Sequence, residues 1–157
     1  MTNMRRGFTM IELIFVIVII GILAAVAVPK LQGVSEDAEV AKLQAYAGTL
    51  TRTIMPGVWS KSLRENNNGS IVKYANDIKR DLPAPKGLSA PKFTKASLEP
   101  VGIDFRKYAK PKAGVATETI GKTKYTVACS DGDMTRAPEC DVWDATNNVW
   151  LLASKNQ

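Results

Sequence analysis

One feature constrains this chain more than any other. It is an unbroken apolar run near the start, Phe8 to Val28, FTMIELIFVIVIIGILAAVAV, with a single charge at Glu12. A helix that crosses a bilayer needs about 20 mostly apolar residues, and this run is about that long. Arg5 and Arg6 stand just ahead of it. Basic residues on one flank favour keeping that flank in the cytoplasm. Everything after Pro29 is then expected across the membrane.

Three kinds of segment share this anatomy. A cleaved secretory signal has a basic start and a small-residue cleavage site, and Ala25-Val26-Ala27 resembles one. The apolar core is long for that, and an acid inside it is unusual. A plain signal anchor explains length and orientation but leaves Glu12 without a purpose. A carboxylate in a bilayer costs about 2.5–3.5 kcal/mol on insertion scales, so it points to function and wants a cationic partner.

The third kind supplies that partner. Gly7-Phe8-Thr9-Met10-Ile11-Glu12-Leu13 resembles the prepilin cleavage motif of type IV pilins and type II secretion pseudopilins. The resemblance implies that a membrane peptidase cuts after Gly7 and methylates the new N-terminus at Phe8. It also implies that the apolar helix is retained, and that Glu12 is the acid that sets subunit register. The chemistry is consistent with this. Cleavage removes both arginines and exposes an amine that stays cationic when N-methylated. Paired with that amine on a neighbouring subunit, Glu12 escapes the desolvation it suffers alone; a pair broken on one side typically costs about 3–5 kcal/mol.

Past Pro29 the chain turns amphipathic. Val34, Ala38, Ala41, Ala45 and Gly48 fall at helical spacing, and Leu43, Ala47, Leu50 and Ile54 form a second, larger stripe. The spacing predicts one helix from about Phe8 to Met55, stopped by Pro56-Gly57. Gly21 and Pro29 are candidate kinks. The amphipathic half is expected to pack on a globular head. Residues 1–7 are thus read as a leader, 8–29 as a transmembrane and assembly helix, 30–57 as an amphipathic stalk and 58–157 as the head.

Within the head, residues 58–114 look irregular, broken by Asn66-Asn67-Asn68-Gly69 and by Pro83, Pro85, Pro91, Pro100 and Pro111. Ser70 is a candidate cap for a short helix through Leu82. Leu98, Val101, Ile103 and Phe105 are candidate anchors of this connection. From residue 115 the pattern becomes β. Strands are expected at Val115–Ile120, Lys124–Cys129, Cys140–Trp143 and Val149–Ala153, with a tight turn at Gly121-Lys122. The fold class is α+β, a long N-terminal helix on a small antiparallel sheet; the pilin resemblance implies the same arrangement.

Other chemistry is sparse. The 157 residues contain no histidine, and their net charge of +6 is spread over scattered lysines and arginines. That balance permits contact with DNA but does not indicate it. Cys129 and Cys140 alone make a poor zinc site. Outside the cytoplasm they read as one structural disulfide, worth about 2–3 kcal/mol for so short a loop. The resemblance implies that this loop is exposed in a filament. Asp131 and Asp133 are weak calcium candidates, since they form no complete binding loop and turn chemistry explains them as well. Trp59, Trp143 and Trp150 read as packing residues. Nothing reads as an active site, and no cofactor is expected.

The expected role is a non-enzymatic filament subunit, pilin or pseudopilin, with a modest lean to the secretion branch on the brevity of the head. Its partners would be the prepilin peptidase and methyltransferase, other copies and minor pilins, an inner-membrane assembly platform, and lipid. Its place would be the inner membrane with a periplasmic head, and then a filament. The alternatives are an anchored periplasmic binding domain that never polymerises and a competence pilin that binds DNA.

Overall fold

The computed structural model describes residues 8–99, 106 and 110–152. The anchors anticipated at Val101, Ile103 and Phe105, and the strand end at Ala153, lie outside these. Helix α1 covers Met10–Thr49. Pro29 ends the apolar run but not the helix, which continues through it. Packing divides the chain after Ala38, into a unit up to that residue and a unit from Glu39 onward.

Pro56-Gly57 does not stop the helical path either. A single π turn, Leu50–Ile54, leads into α2, Met55–Arg64. In it the Met55 N–H bonds the Leu50 carbonyl, five residues back. The wide turn sits directly ahead of Pro56, whose ring would otherwise crowd a carbonyl four residues back. Pro56 then falls in the first turn of α2, where a missing N–H costs nothing.

Of the two stripes after Pro29, only the bulky one is core. Leu43, Ala47 and Leu50 are fully buried, with Tyr46 beside them. Ala38, Ala41 and Ala45 of the smaller stripe are exposed. The larger side chains remove more apolar area from water for each residue placed inward. A single-turn 3-10 helix, Val72–Tyr74, and α3, Ala75–Asp81, follow the asparagine loop. They bury Ile71, Tyr74 and Ile78 in the same core.

Four antiparallel strands pair in chain order: β1 Ala116–Ile120, β2 Thr123–Cys129, β3 Cys140–Asp144 and β4 Val149–Trp150. Gly121 has φ +58° between paired Ile120 and Thr123, at the first central position that a type II′ turn reserves for glycine. Tyr125, Val127 and Cys129 of β2 face the helical core together with Val142 of β3. Ala128, Trp143 and Trp150 form a second cluster, the two indoles 5.1 Å apart.

The fourth strand is shorter than its apolar pattern suggests. After Trp150 the chain turns at Leu151 and Leu152, and the Leu152 N–H bonds the side chain of Asp141 at 2.9 Å instead of a strand carbonyl. At the opposite edge, the loop after α3 covers β1. Ser89 N–H bonds the Thr117 carbonyl, Thr117 N–H bonds Ser89 Oγ, and Lys92 N–H bonds the Val115 carbonyl. An open edge would invite a foreign strand, and this loop closes it.

Candidate functional site

Two regions carry the candidate residues: the start of α1 and the loop between β2 and β3. At the first, Phe8 is 83% exposed, and the large apolar side chains from Met10 to Leu31 are exposed with it. Gly7 lies outside the described residues. This helix is long and apolar enough to cross a membrane.

Glu12 has a role here that the motif alone does not suggest. Its Oε2 accepts the Thr9 backbone N–H at 3.2 Å and the Thr9 hydroxyl at 3.1 Å, while the Glu12 N–H reaches Thr9 Oγ1 at 3.3 Å. This reciprocal pattern is a capping box, and its signature, Thr-x-x-Glu ahead of an apolar run, stands in the sequence. It satisfies N–H groups that no helix turn can reach. Both bonds to Thr9 use one oxygen, and Glu12 Oε1 takes no protein partner among the described residues.

At the second region Cys129 and Cys140 form a disulfide between directly opposed positions of β2 and β3, with both residues buried. The backbone groups of this pair look outward rather than at each other. The Cys129 carbonyl accepts the Glu99 N–H at 2.8 Å. The Cys140 N–H and carbonyl both engage Thr51 Oγ1, at 2.8 and 3.1 Å. This is the close pairing of an antiparallel ladder, which brings side chains near enough to bridge. Thr51 belongs to the π turn, so the helix bulge is tied to the disulfide.

The loop that the disulfide closes is built from carboxylate turns. Asp131 reaches across to the asparagine loop, where its two oxygens accept the Ser70 hydroxyl at 2.8 Å and the Ile71 N–H at 2.7 Å. The entry to the Val72–Tyr74 turn is thus held by Asp131, not capped by Ser70 alone. Asp133 Oδ1 takes the Thr135 hydroxyl and N–H and the Arg136 N–H, each at 2.7 Å. The Thr135 hydroxyl, with those N–H groups, holds the Asp133 carboxyl below its usual range. The two calcium candidates therefore serve separate hydrogen-bond sets. Among the described residues no group of three or more His, Cys, Asp or Glu is placed to hold a metal.

Trp59 is half-buried and donates its indole N–H to the Asp133 carbonyl at 2.7 Å. Behind the loop, Asp141 is fully buried and accepts from Val142 N–H, Leu152 N–H and Arg106 Nε at 2.6, 2.9 and 3.0 Å. Burial raises its pKa despite these donors. Arg106 continues to Glu139 at 2.7 Å. No sequence spacing announces this triad, because its members meet only through the fold.

Residues 2–28 match a family described as the prokaryotic N-terminal methylation motif. The chain is 37% identical over 84 residues to the type IV major pilin protein PilE1 of Neisseria gonorrhoeae, covering 50% of this chain and 37% of that one. It is 32% identical over 100 residues to the type IV major fimbrial protein FimA of Dichelobacter nodosus, covering 56% and 62%. To a fimbrial protein of Neisseria meningitidis it is 50% identical over 84 residues, covering 50% and 47%. The chain thus spans between 37% and 62% of the length of these relatives. No solved structure matches it. The chain thus carries a prokaryotic N-terminal methylation motif at the start of an exposed apolar helix, and over about half its length it is similar to type IV pilins and fimbrial proteins.

Proposed function

We propose that the protein is a structural subunit of a type IV filament. In this reading it is cut after Gly7 and methylated on Phe8 by the prepilin peptidase. It waits in the inner membrane, its helix spanning the bilayer and its head in the periplasm, until an assembly platform adds it to a filament of like subunits. The observation that carries this is the apolar stretch of α1, exposed along its length and broken by one acid. Such a surface needs lipid or other apolar helices around it. Relatives described as type IV major pilin and fimbrial proteins favour a pilus over a secretion pseudopilus.

The open Oε1 of Glu12 is the atom for the methylated amine of a neighbour. The other oxygen keeps capping the helix. Two variants separate these roles. Glu12→Gln retains a capping acceptor and loses the charge. Thr9→Val loses the cap and keeps the charge. The expected outcome is membrane insertion for both, with filament incorporation lost in Glu12→Gln and largely kept in Thr9→Val. If Glu12→Gln assembles as well as the parent, the register role is wrong. N-terminal sequencing of the mature protein checks the processing step: a start other than methylated Phe8 refutes it.

A further inference from the structure

We infer that Asn68 is a self-modifying site, whose carboxamide converts without an enzyme to aspartate and isoaspartate through a cyclic imide formed with the Gly69 nitrogen. In the whole sequence Asn68 is the only asparagine followed by glycine. A following side chain crowds the attacking nitrogen. Asn66 precedes Asn67, Asn76 precedes Asp77 and Asn148 precedes Val149. Two others are tethered as well as crowded. The Asn67 amide is held by the Glu65 carbonyl and the Tyr74 hydroxyl at 3.2 and 2.7 Å, and the Asn147 amide by Asp144 at 2.8 Å.

Asn68 is neither crowded nor tethered. It is exposed, and its side chain takes no hydrogen bond among the described residues. The Gly69 N–H likewise bonds no protein group among them. Asn68 sits in left-handed backbone with φ +53°, on a loop that stands outside helix and sheet. No hydrogen bond therefore holds the carboxamide away from the nitrogen of Gly69, a residue that is itself buried.

The bonds balance as follows. The Gly69 nitrogen gives up its proton to solvent base and bonds to Asn68 Cγ. The Cγ–Nδ2 bond breaks, and the nitrogen leaves as ammonia, taking a proton from water. The five-membered imide is then opened by water. Addition at Cγ restores the main chain and leaves aspartate. Addition at the main-chain carbonyl leaves isoaspartate, with the backbone rerouted through the side chain. One water is consumed, one ammonia is released, and nothing is oxidised.

The product is placed to matter. Asn68 shares a surface groove with Lys95, Asp131 and Asp133, so a new carboxylate appears beside two others at the disulfide loop. The isoaspartyl form also adds a methylene to the backbone next to Gly69. That glycine has no slack: an added Cβ would strike the Asp133 carbonyl oxygen.

The test is incubation of the folded full-length protein in detergent micelles at neutral and alkaline pH, with peptide mass spectrometry and enzymatic methylation of isoaspartate as readouts. Asn68 is expected to convert before any other asparagine. Its rate should rise about tenfold per pH unit until the nitrogen is largely deprotonated, because only the deprotonated nitrogen attacks. The isoaspartate signal should vanish in Asn68→Ser. Conversion that is faster elsewhere, or seen only after unfolding, overturns the inference. So does an Asn68 found carrying a sugar, which the Asn68-Gly69-Ser70 sequon permits.

Discussion

Thr51 joins the π turn to the disulfide, and replacing it with valine tests whether that joint holds the head together. Valine keeps the shape and the β-branch but removes the hydroxyl. The Cys140 N–H then loses its acceptor and the Cys140 carbonyl loses a donor, in a residue that is 1% exposed. A buried group left without its partner costs about 1–3 kcal/mol. The N–H has no alternative, while the carbonyl has a second lone pair, so the expected loss is about 2–4 kcal/mol. The control is Thr49→Val, because the Thr49 hydroxyl bonds only the Ala45 carbonyl of its own helix at 2.8 Å. Such back-bonding adds little, and the control should stay within about 0.5 kcal/mol of the parent. The assay is denaturant unfolding in micelles, followed through the paired Trp143 and Trp150. A Thr51→Val protein that unfolds with the Thr49→Val control would refute the reasoning. The π turn would then be a local accommodation of Pro56 and not a structural joint.

Two further outcomes follow from the loops around that joint. Gly69→Ala should destabilise the head by more than about 1–2 kcal/mol, since Gly69 has φ +83° and its new methyl would strike the Asp133 carbonyl; a thermal midpoint equal to the parent's would contradict the packing. Acid should open the disulfide loop before the sheet. The Asp133 carboxyl, held low by the Thr135 hydroxyl and its neighbours, stabilises the loop above the ordinary carboxylate range, and this is lost as pH falls through the depressed value. The Asp141 carboxyl is raised by burial, so its protonation on acidification relieves a cost. Amide exchange at Thr135 and Arg136 should therefore speed up, relative to intrinsic rates, at a higher pH than exchange at Val142 and Leu152. Simultaneous loss of protection would count against it.

The sheet was legible because its signals are local. Alternation and a Gly-containing turn are enough to draw β1 and β2, and residues 140–144 extend only one position past expectation. The helix end was misjudged for a reason that is not local. Pro56-Gly57 is a strong stop in isolation. Here Met55 and Val58 are buried in the core, and that packing carries the chain past the proline at the expense of one wide turn. The fourth strand failed the other way. Leu151 and Leu152 look like strand, but Asp141 captures the Leu152 N–H. Neither competitor is visible in the segment itself. Glu12 drew attention through its position and motif alone, and its hydrogen bonds to Thr9 add a capping role that this reading had left out.

The two units of the chain differ in what they leave unsatisfied. In the unit from Glu39 onward, most of the bulky apolar residues turn inward, and the buried carboxylate of Asp141 is met by three donors. In the unit up to Ala38, the large apolar side chains from Phe8 to Val34 stay exposed. Lipid tails and neighbouring apolar helices satisfy that surface about equally well, because neither offers a hydrophobic gain over the other. In the proposed assembly, exchange of lipid for other subunits is therefore close to neutral along most of the helix. What breaks the tie must be a group that lipid serves badly, and from Phe8 to Val28 there is one, Glu12. Its capping bonds engage one oxygen in a single chain, and in the proposed assembly the second would be left for the cationic end of another processed subunit.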